Sequence, residues 1–422
     1  MISKVVILHD YGTVTGGSSA VAHASALGLC REGLSITLLT AVGPVAENLK
    51  GVPGLEVSCL MQPEIVNDRN RAGAFVRGIY NRAAVAAVRQ TLHGLDPRHT
   101  IVHVHTWTKA LSAFAVSAAI ELGFKVVLTL HDFFVTCPTG GFFVHKASEL
   151  CSRTPLSLDC VLCHCDRRSY AQKLWRVGRT LIQNQGLRMP EGIAHFIGVS
   201  QLSVNVMQPF LPAQIPVTIV RNPIDCRDEG PAPVKTNTPF IYIGRFAKEK
   251  GVLLFAEAAG RLGIPAVFVG DGELRKEAER LCPQGTFTGW LPAPEVAQWL
   301  RRARALVFPP LWYETLGLVV VEAASHGVPA VIADRCAATD FVKDGTNGLW
   351  FEQGSAKSLC AKLTAMEDAT LAQKIGQNAY DWYWRDPWTI ERHVADLLAV
   401  YREVLGFKTV CCTGDRPDFS GS

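Results

Sequence analysis

The sequence predicts an α/β protein made of two doubly wound, Rossmann-like domains that face each other across a deep cleft. Three observations predict it. At 422 residues, with 48% hydrophobic side chains, the chain is longer than one ordinary core can serve, so two domains are the default. Short apolar runs rich in β-branched residues alternate with helical patterns, and they show little polar alternation, as parallel strands covered on both faces do. The pattern also breaks once, at a polar stretch, and then restarts.

The elements follow in chain order. VVILHD (5–10) is the first strand, the Ala-rich stretch Ser18 to Arg31 a helix, and LSITLLTA (34–41) the next strand. IVHVHT (101–106), KVVLTLHD (125–132), HFIGVS (195–200) and VTIVRN (217–222) continue the series. Such strand–helix–strand repetition is the signature of a doubly wound sheet. CRDEGPAPVKTNTP (226–239) contains three prolines and no apolar period, so it reads as a linker. Beyond it come FIYIGR (240–245), AVFVGDG (266–272), GTFTGWL (285–291), ALVFPP (305–310) and PAVIAD (329–334). Domains are therefore placed at 1–228 and 229–386. Ile390, Val394, Leu397, Leu398 and Tyr401 have helical spacing, which assigns 387–407 to a helix able to pack back on the first domain. Residues 408–422 read as a disordered tail. Ligands of facing Rossmann domains are expected at the carboxyl ends of the strands and between the domains.

Composition excludes several classes. A net charge of +4 is mild for this length and gives no reason to expect nucleic acid. MISKVVILHD has too short an apolar run for a signal peptide, and no stretch resembles a membrane span. A cytoplasmic protein is expected, its thirteen cysteines reduced. No G-x-G-x-x-G follows the first strand, which argues against a dinucleotide dehydrogenase.

Two constellations carry the chemistry. GRFAKEKG (244–251) leads from a strand into a helix, so Arg245 and Lys250 lie near free amides and the positive end of a helix dipole. They are either a grip for a diphosphate or two solvated cations. WYETLGLVVVEA (312–323) places Glu314 and Glu322 in an apolar run. A strand just before it favours a helix starting near Thr315, with Glu314 at its N-terminus and Glu322 two turns inside. A buried, unpaired carboxylate is costly, and the paired hydroxyls of ribose and hexose are natural donors to such acids.

Together with a Gly-Gly loop at TVTGGSS and the VGDG turn, this E-x7-E and G-R-x4-K pattern resembles the retaining GT-B glycosyltransferases of family four, the "group 1" class. The resemblance covers nearly the whole chain. It implies that Arg245 and Lys250 hold the donor diphosphate and that Glu322 accepts from ribose. Glu314 would hold the donor hexose with the backbone around Leu316, Gly317 and Leu318. It places Gly16 and Gly17 near the donor phosphate, Trp290, within Gly289 to Leu291, near the base, and His131 near the transferred sugar. His131 could equally be a satisfied structural histidine. His103 and His105 are expected to pack or bond locally. Fixed cations can stabilise the departing diphosphate in place of a metal, and no Asp-x-Asp occurs in the chain. The family's Gly-Gly and Glu after the strand that follows are replaced by DRCAATDFVKDG, where Asp340 stands as a substitute for the Glu.

Two further segments stand apart. Within an insertion at about 137–166, Cys151, Cys160, Cys163 and Cys165 form C-x8-C-x2-C-x-C, with Cys137 upstream. They read as a structural zinc site or as buried thiols. RRSYAQKLWRVGRTLIQNQGLR (167–188) has six basic residues and no acid, with Tyr170, Leu174, Val177 and Leu181 on one helical face. It reads as a helix lying on an anionic membrane, or as an ordinary packed helix with a solvated basic face.

The expected function is transfer of a hexose, with retention and without a metal cofactor, from a nucleotide sugar to a growing lipid-linked glycan. Lipopolysaccharide, O-antigen or exopolysaccharide synthesis at the inner face of the plasma membrane is the setting. A sugar-nucleotide epimerase of the same fold and a non-catalytic scaffold are the alternatives.

Overall fold

The computed structural model describes residues 2–407, so the tail expected at 408–422 lies outside the described residues. Two parallel sheets organise the chain. The first contains β1 (Lys4–Tyr11), β2 (Ser35–Val42), β3 (Leu55–Cys59), β4 (Thr100–Val104) and β5 (Lys125–Leu130). A short antiparallel hairpin, β6 (Phe143–Val144) with β7 (Glu149–Leu150), intervenes before β8 (His195–Gly198) and β9 (Val217–Ile219) complete it. Its spatial order is β3-β2-β1-β4-β5-β8-β9. The second sheet joins β10 (Phe240–Ile243), β11 (Ala266–Val269), β12 (Thr286–Gly289), β13 (Ala305–Phe308), β14 (Ala330–Ala333) and β15 (Gly348–Phe351), in the order β12-β11-β10-β13-β14-β15. The order reverses between β1 and β4 and again between β10 and β13, the switch points where open α/β sheets bind ligands.

Four strands are additional to the sequence reading: the short hairpin β6–β7, and the edge strands β3 and β15. LEVSC is only half covered, so it lacks the continuous apolar run of a central strand, and GLWF is only four residues long. The three valines of LGLVVVEAAS are helical, over Leu318–Ser325. Parallel β13 and β14 need a crossover between them, and that requirement overrides the β-propensity of valine. The helix starts at Leu318, three residues later than expected.

The helix Ile390–Val404 packs on the first sheet, where Val394, Leu397, Val400 and Tyr401 share a core with Val5, Ile7 and Ala26. Tyr401 bonds His103 Nδ1 at 2.6 Å, and Ser25 bonds His393 at 2.8 Å. A Cβ on Gly28 would lie 2.5 Å from Val394; the absence of a side chain there lets the two helices approach.

The segment after β5 reaches the second sheet. Lys248 Nζ donates to the His145 carbonyl at 2.9 Å, Arg167 pairs with Glu273 at 2.6 Å, and Gly141 faces the Trp312 ring. Two expectations for this region are corrected. Among the described residues no group of three or more His, Cys, Asp or Glu side chains is placed to hold a metal ion. Cys151, Cys160 and Cys165 instead border a cavity with Cys137 and the fully buried Lys173, and Cys163 is not among its lining residues. A lysine ammonium in that position opposes a second cation.

The helix Tyr170–Leu181 does not display its cations either. Lys173 and Arg179 are buried, and Leu174 faces outward. Arg176 pairs with buried Asp166 at 3.1 Å, while Arg179 donates to the Thr108 carbonyl at 3.1 Å and lies over the Phe134 and Trp175 rings. Helical spacing alone gave the wrong face, because aromatic faces and buried acceptors draw these long side chains inward. No helix among the described residues is long and apolar enough to cross a membrane.

Candidate active site

A cavity of about 490 Å³ lies between the two sheets, at the carboxyl ends of β1, β5, β10 and β13. Gly16, Gly17, His131, Arg245, Lys250, Trp290, Glu314, Leu316, Gly317 and Leu318 all border it. Residues dispersed over about three hundred positions of sequence thus share one cavity.

Two helices point their N-termini into the cavity. The helix Gly17–Arg31 begins directly after Gly16, and no side chain caps it. The helix Leu318–Ser325 begins after Gly317, also without a side-chain cap. Their first amides are therefore available to an anion or a hydroxyl. Gly317 has φ +82°, and a Cβ there would lie 2.8 Å from the Phe308 ring; both facts require glycine at this turn.

The cations are held by carboxylates. Lys250 Nζ lies 2.5 Å from Glu314 Oε2, which also accepts from Trp312 Nε1 at 3.1 Å, and the ammonium sits 4.9 Å above the Trp312 ring. Arg245 Nη2 contacts Glu249 Oε1 at 2.7 Å. The other Glu249 oxygen is buried without a hydrogen-bond partner. Tyr242 donates to the Arg245 carbonyl at 2.9 Å and fixes the loop. Gly251, at φ +70°, allows the backbone past the Pro309 carbonyl, which a Cβ would approach to 1.8 Å.

On the opposite wall His131 Nε2 bonds His105 Nδ1 at 2.8 Å, and the Thr315 hydroxyl donates to the His131 carbonyl at 3.1 Å. Burial, reinforced by His393, pushes the His131 imidazole down to about 3. It is a neutral hydrogen-bonding group near pH 7, not a cation. Asp132 also borders the cavity, and burial lifts its carboxyl to about 6 against the Phe134 amide and Lys109.

Glu322 lies one turn further along the helix from Leu318, with Cys226 and Tyr383 as neighbours, and burial raises its pKa. One expectation changes: Asp340 is not among the residues bordering the cavity, and its Oδ2 accepts the Gln201 and Leu202 amides at 2.6 and 3.2 Å, tying the second sheet's domain to the helix Gln201–Met207. His105 packs against the His9 and His103 rings, as expected, and its bond to His131 also connects it to the site. Asp132, Trp312, Thr315 and Glu249 were not singled out in the sequence. Only Asp132 carried a signal, as a second polar residue at the end of KVVLTLHD.

The comparisons with known proteins agree with this architecture. Residues 228–382 match the family described as glycosyl transferases group 1, and residues 16–176 match a glycosyl transferase 4-like domain. A GDP-mannose-dependent alpha-mannosyltransferase of Corynebacterium glutamicum is 35% identical over 39% of this chain and 41% of that protein. A sulfoquinovosyl transferase of Arabidopsis thaliana is 32% identical over 34% of this chain and 30% of that protein. The chain thus matches less than half the length of these curated relatives. Among solved structures, a sucrose-phosphate synthase from Thermosynechococcus elongatus superposes with a TM-score of 0.70 at 15% identity, covering 96% of this chain and 99% of that one. An Anabaena protein solved with UDP and glucose gives 0.65 at 18% identity, covering 95% and 100%. At such identities the likeness is one of fold.

Proposed function

Since the chain belongs to the group 1 glycosyltransferases and has the GT-B fold, we propose that it moves a hexose from a nucleotide-sugar donor to a growing, lipid-linked glycan, with retention and without a metal cofactor. The observation that carries this reading is the meeting of Arg245, Lys250 and Glu314 with two uncapped helix N-termini in one interdomain cleft. The proposed division of labour follows residues 1–228 for the acceptor and 229–386 for the donor.

The chemistry follows from charge. Breaking the anomeric bond places growing negative charge on the leaving nucleoside diphosphate. Arg245 and Lys250 turn from their carboxylates to that diphosphate, with the amides of the Gly16–Gly17 loop facing it. Fixed donors in a site closed to water contribute on the order of 3 kcal/mol each to lowering such a barrier. As Lys250 leaves Glu314, the carboxylate becomes free to accept hydroxyls of the hexose, beside the backbone of Leu316 to Leu318. Neutral His131, held in one tautomer by His105, offers a hydrogen bond to the transferred sugar without competing for protons. Trp290, 64% exposed at the cavity rim, supplies a face for the base. Contact with an anionic surface through 167–188 falls to Arg168 and Arg188, which remain exposed.

The test is release of nucleoside diphosphate from a panel of nucleotide sugars, with and without a membrane extract and with and without a chelator. A preferred donor, dependence on the extract and indifference to the chelator are expected. Failure to bind any nucleotide sugar overturns the reading. Epimerised donor without transfer would identify the epimerase alternative.

A further inference from the structure

Away from the cleft, four thiols line one small cavity together with a lysine: Cys137, Cys151, Cys160, Cys165 and Lys173. All four cysteines are free. Lys173 is 0% exposed. Its Nζ donates to Cys160 Sγ at 3.4 Å, and Cys165 lies within hydrogen-bonding reach of the same nitrogen. The electrostatic partners that favour its charge are the sulfurs of Cys165, Cys160 and Cys137. A buried ammonium ordinarily has a carboxylate for company; this one has sulfur. Cys160 is 6% exposed, which admits only a small oxidant. Thiol oxidation is reversible in its first steps, and an amine in contact with the reacting sulfur is placed to capture the product.

We propose that Lys173 and Cys160 are the two ends of an oxidative covalent link, a nitrogen–oxygen–sulfur bridge formed with dioxygen. One S–H bond and one N–H bond of the thiol and the neutral amine break, and an S–O and an N–O bond form. One oxygen atom stays in the bridge, and the other leaves as water with both hydrogens. Sulfur and nitrogen are each oxidised by two electrons, and dioxygen accepts all four. The ammonium first gives its extra proton to solvent. The bridge ties the helix Leu158–Leu162 to the helix Tyr170–Leu181. It thereby stiffens the segment whose His145 carbonyl and Arg167 side chain touch Lys248 and Glu273 of the other domain.

The experiment is intact-mass and peptide-mapping analysis of the full chain after exposure to air-saturated buffer, compared with a sample kept in dithiothreitol. The expected result is gain of one oxygen and loss of two hydrogens, localised to linked peptides containing Cys160 and Lys173 and reversed by dithiothreitol. Cys160→Ser and Lys173→Gln abolish the shift, and Cys163→Ser keeps it. Should either of the first two variants fail to fold, the mapped link in the wild-type chain decides alone. An unshifted mass, loss of two hydrogens without added oxygen (a disulfide), or a stoichiometric zinc content with thiols protected from alkylation each overturns the proposal.

Discussion

Replacing Lys250 by alanine separates the two jobs this ammonium performs. In the ligand-free cleft it neutralises Glu314 at 2.5 Å, with side-chain exposures of 24% and 13%. Breaking a fully buried pair costs about 3–5 kcal/mol, and an exposed pair contributes about 0–1 kcal/mol. At this partial exposure the loss of stability is expected to be about 1–2 kcal/mol, a fall of a few degrees in Tm. In the proposed reaction the same group faces the leaving diphosphate, where loss of one donor costs on the order of 3 kcal/mol, or roughly 100-fold in kcat. Lys250→Ala is therefore expected to remain folded while turnover drops by about two orders of magnitude. Adding Glu314→Gln removes the stranded carboxylate, so Tm recovers and kcat does not. Diphosphate release with the preferred donor, alongside thermal melts of the four members of the cycle, measures both effects. A folded Lys250→Ala protein whose kcat stays within about threefold of wild type would refute the electrostatic account.

Other consequences can be checked independently. Gly251→Ala forces a Cβ to within 1.8 Å of the Pro309 carbonyl at a φ of +70°, so a loss of several kcal/mol and poor soluble yield are expected, whereas Gly33→Ala, with open space around it, costs about 1 kcal/mol by its positive φ alone. Burial holds His9, His103, His105 and His131 below the ordinary histidine value. These rings take up protons on unfolding, so the stability they contribute is complete above about pH 6.5 and declines as acid is added toward the folded values. Asp132 runs the other way: its contribution is present in acid and lost as pH rises through about 6. Melting temperatures between about pH 8 and about pH 5 should show the histidines dominating, with a monotonic fall on the acid side. His105→Phe removes the bond that sets the His131 tautomer, so kcat should fall about tenfold or more with donor KM little changed; an unchanged kcat would remove His105 from the site.

Much of the fold was legible because parallel strands covered on both faces need long apolar runs. β1, β2, β4, β5, β10, β11, β13 and β14 announce themselves this way, while β3 and β15, each with one neighbour, do not. The reading of LVVVEAAS as a helix came from topology and not from propensity. In the site, GRFAKEKG and WYETLGL were legible because glycines and charged residues interrupt apolar sequence where a backbone turns toward a ligand. The parts played by His105 and the Thr315 hydroxyl were not, since what joins them to the site is a contact with His131, far away in sequence.

The sequence by itself determined the two-sheet α/β plan, the linker between the halves and the charged and glycine-rich part of the cleft's lining. Each of these is written in local periodicity or in short turn-forming motifs. Only the tertiary structure decided that Asp340 fastens one domain to the other and that Lys173, Arg176 and Arg179 turn inward. The destination of a long polar side chain depends on which acceptors, aromatic faces or sulfurs the rest of the fold brings within its reach, and helical spacing carries no record of those.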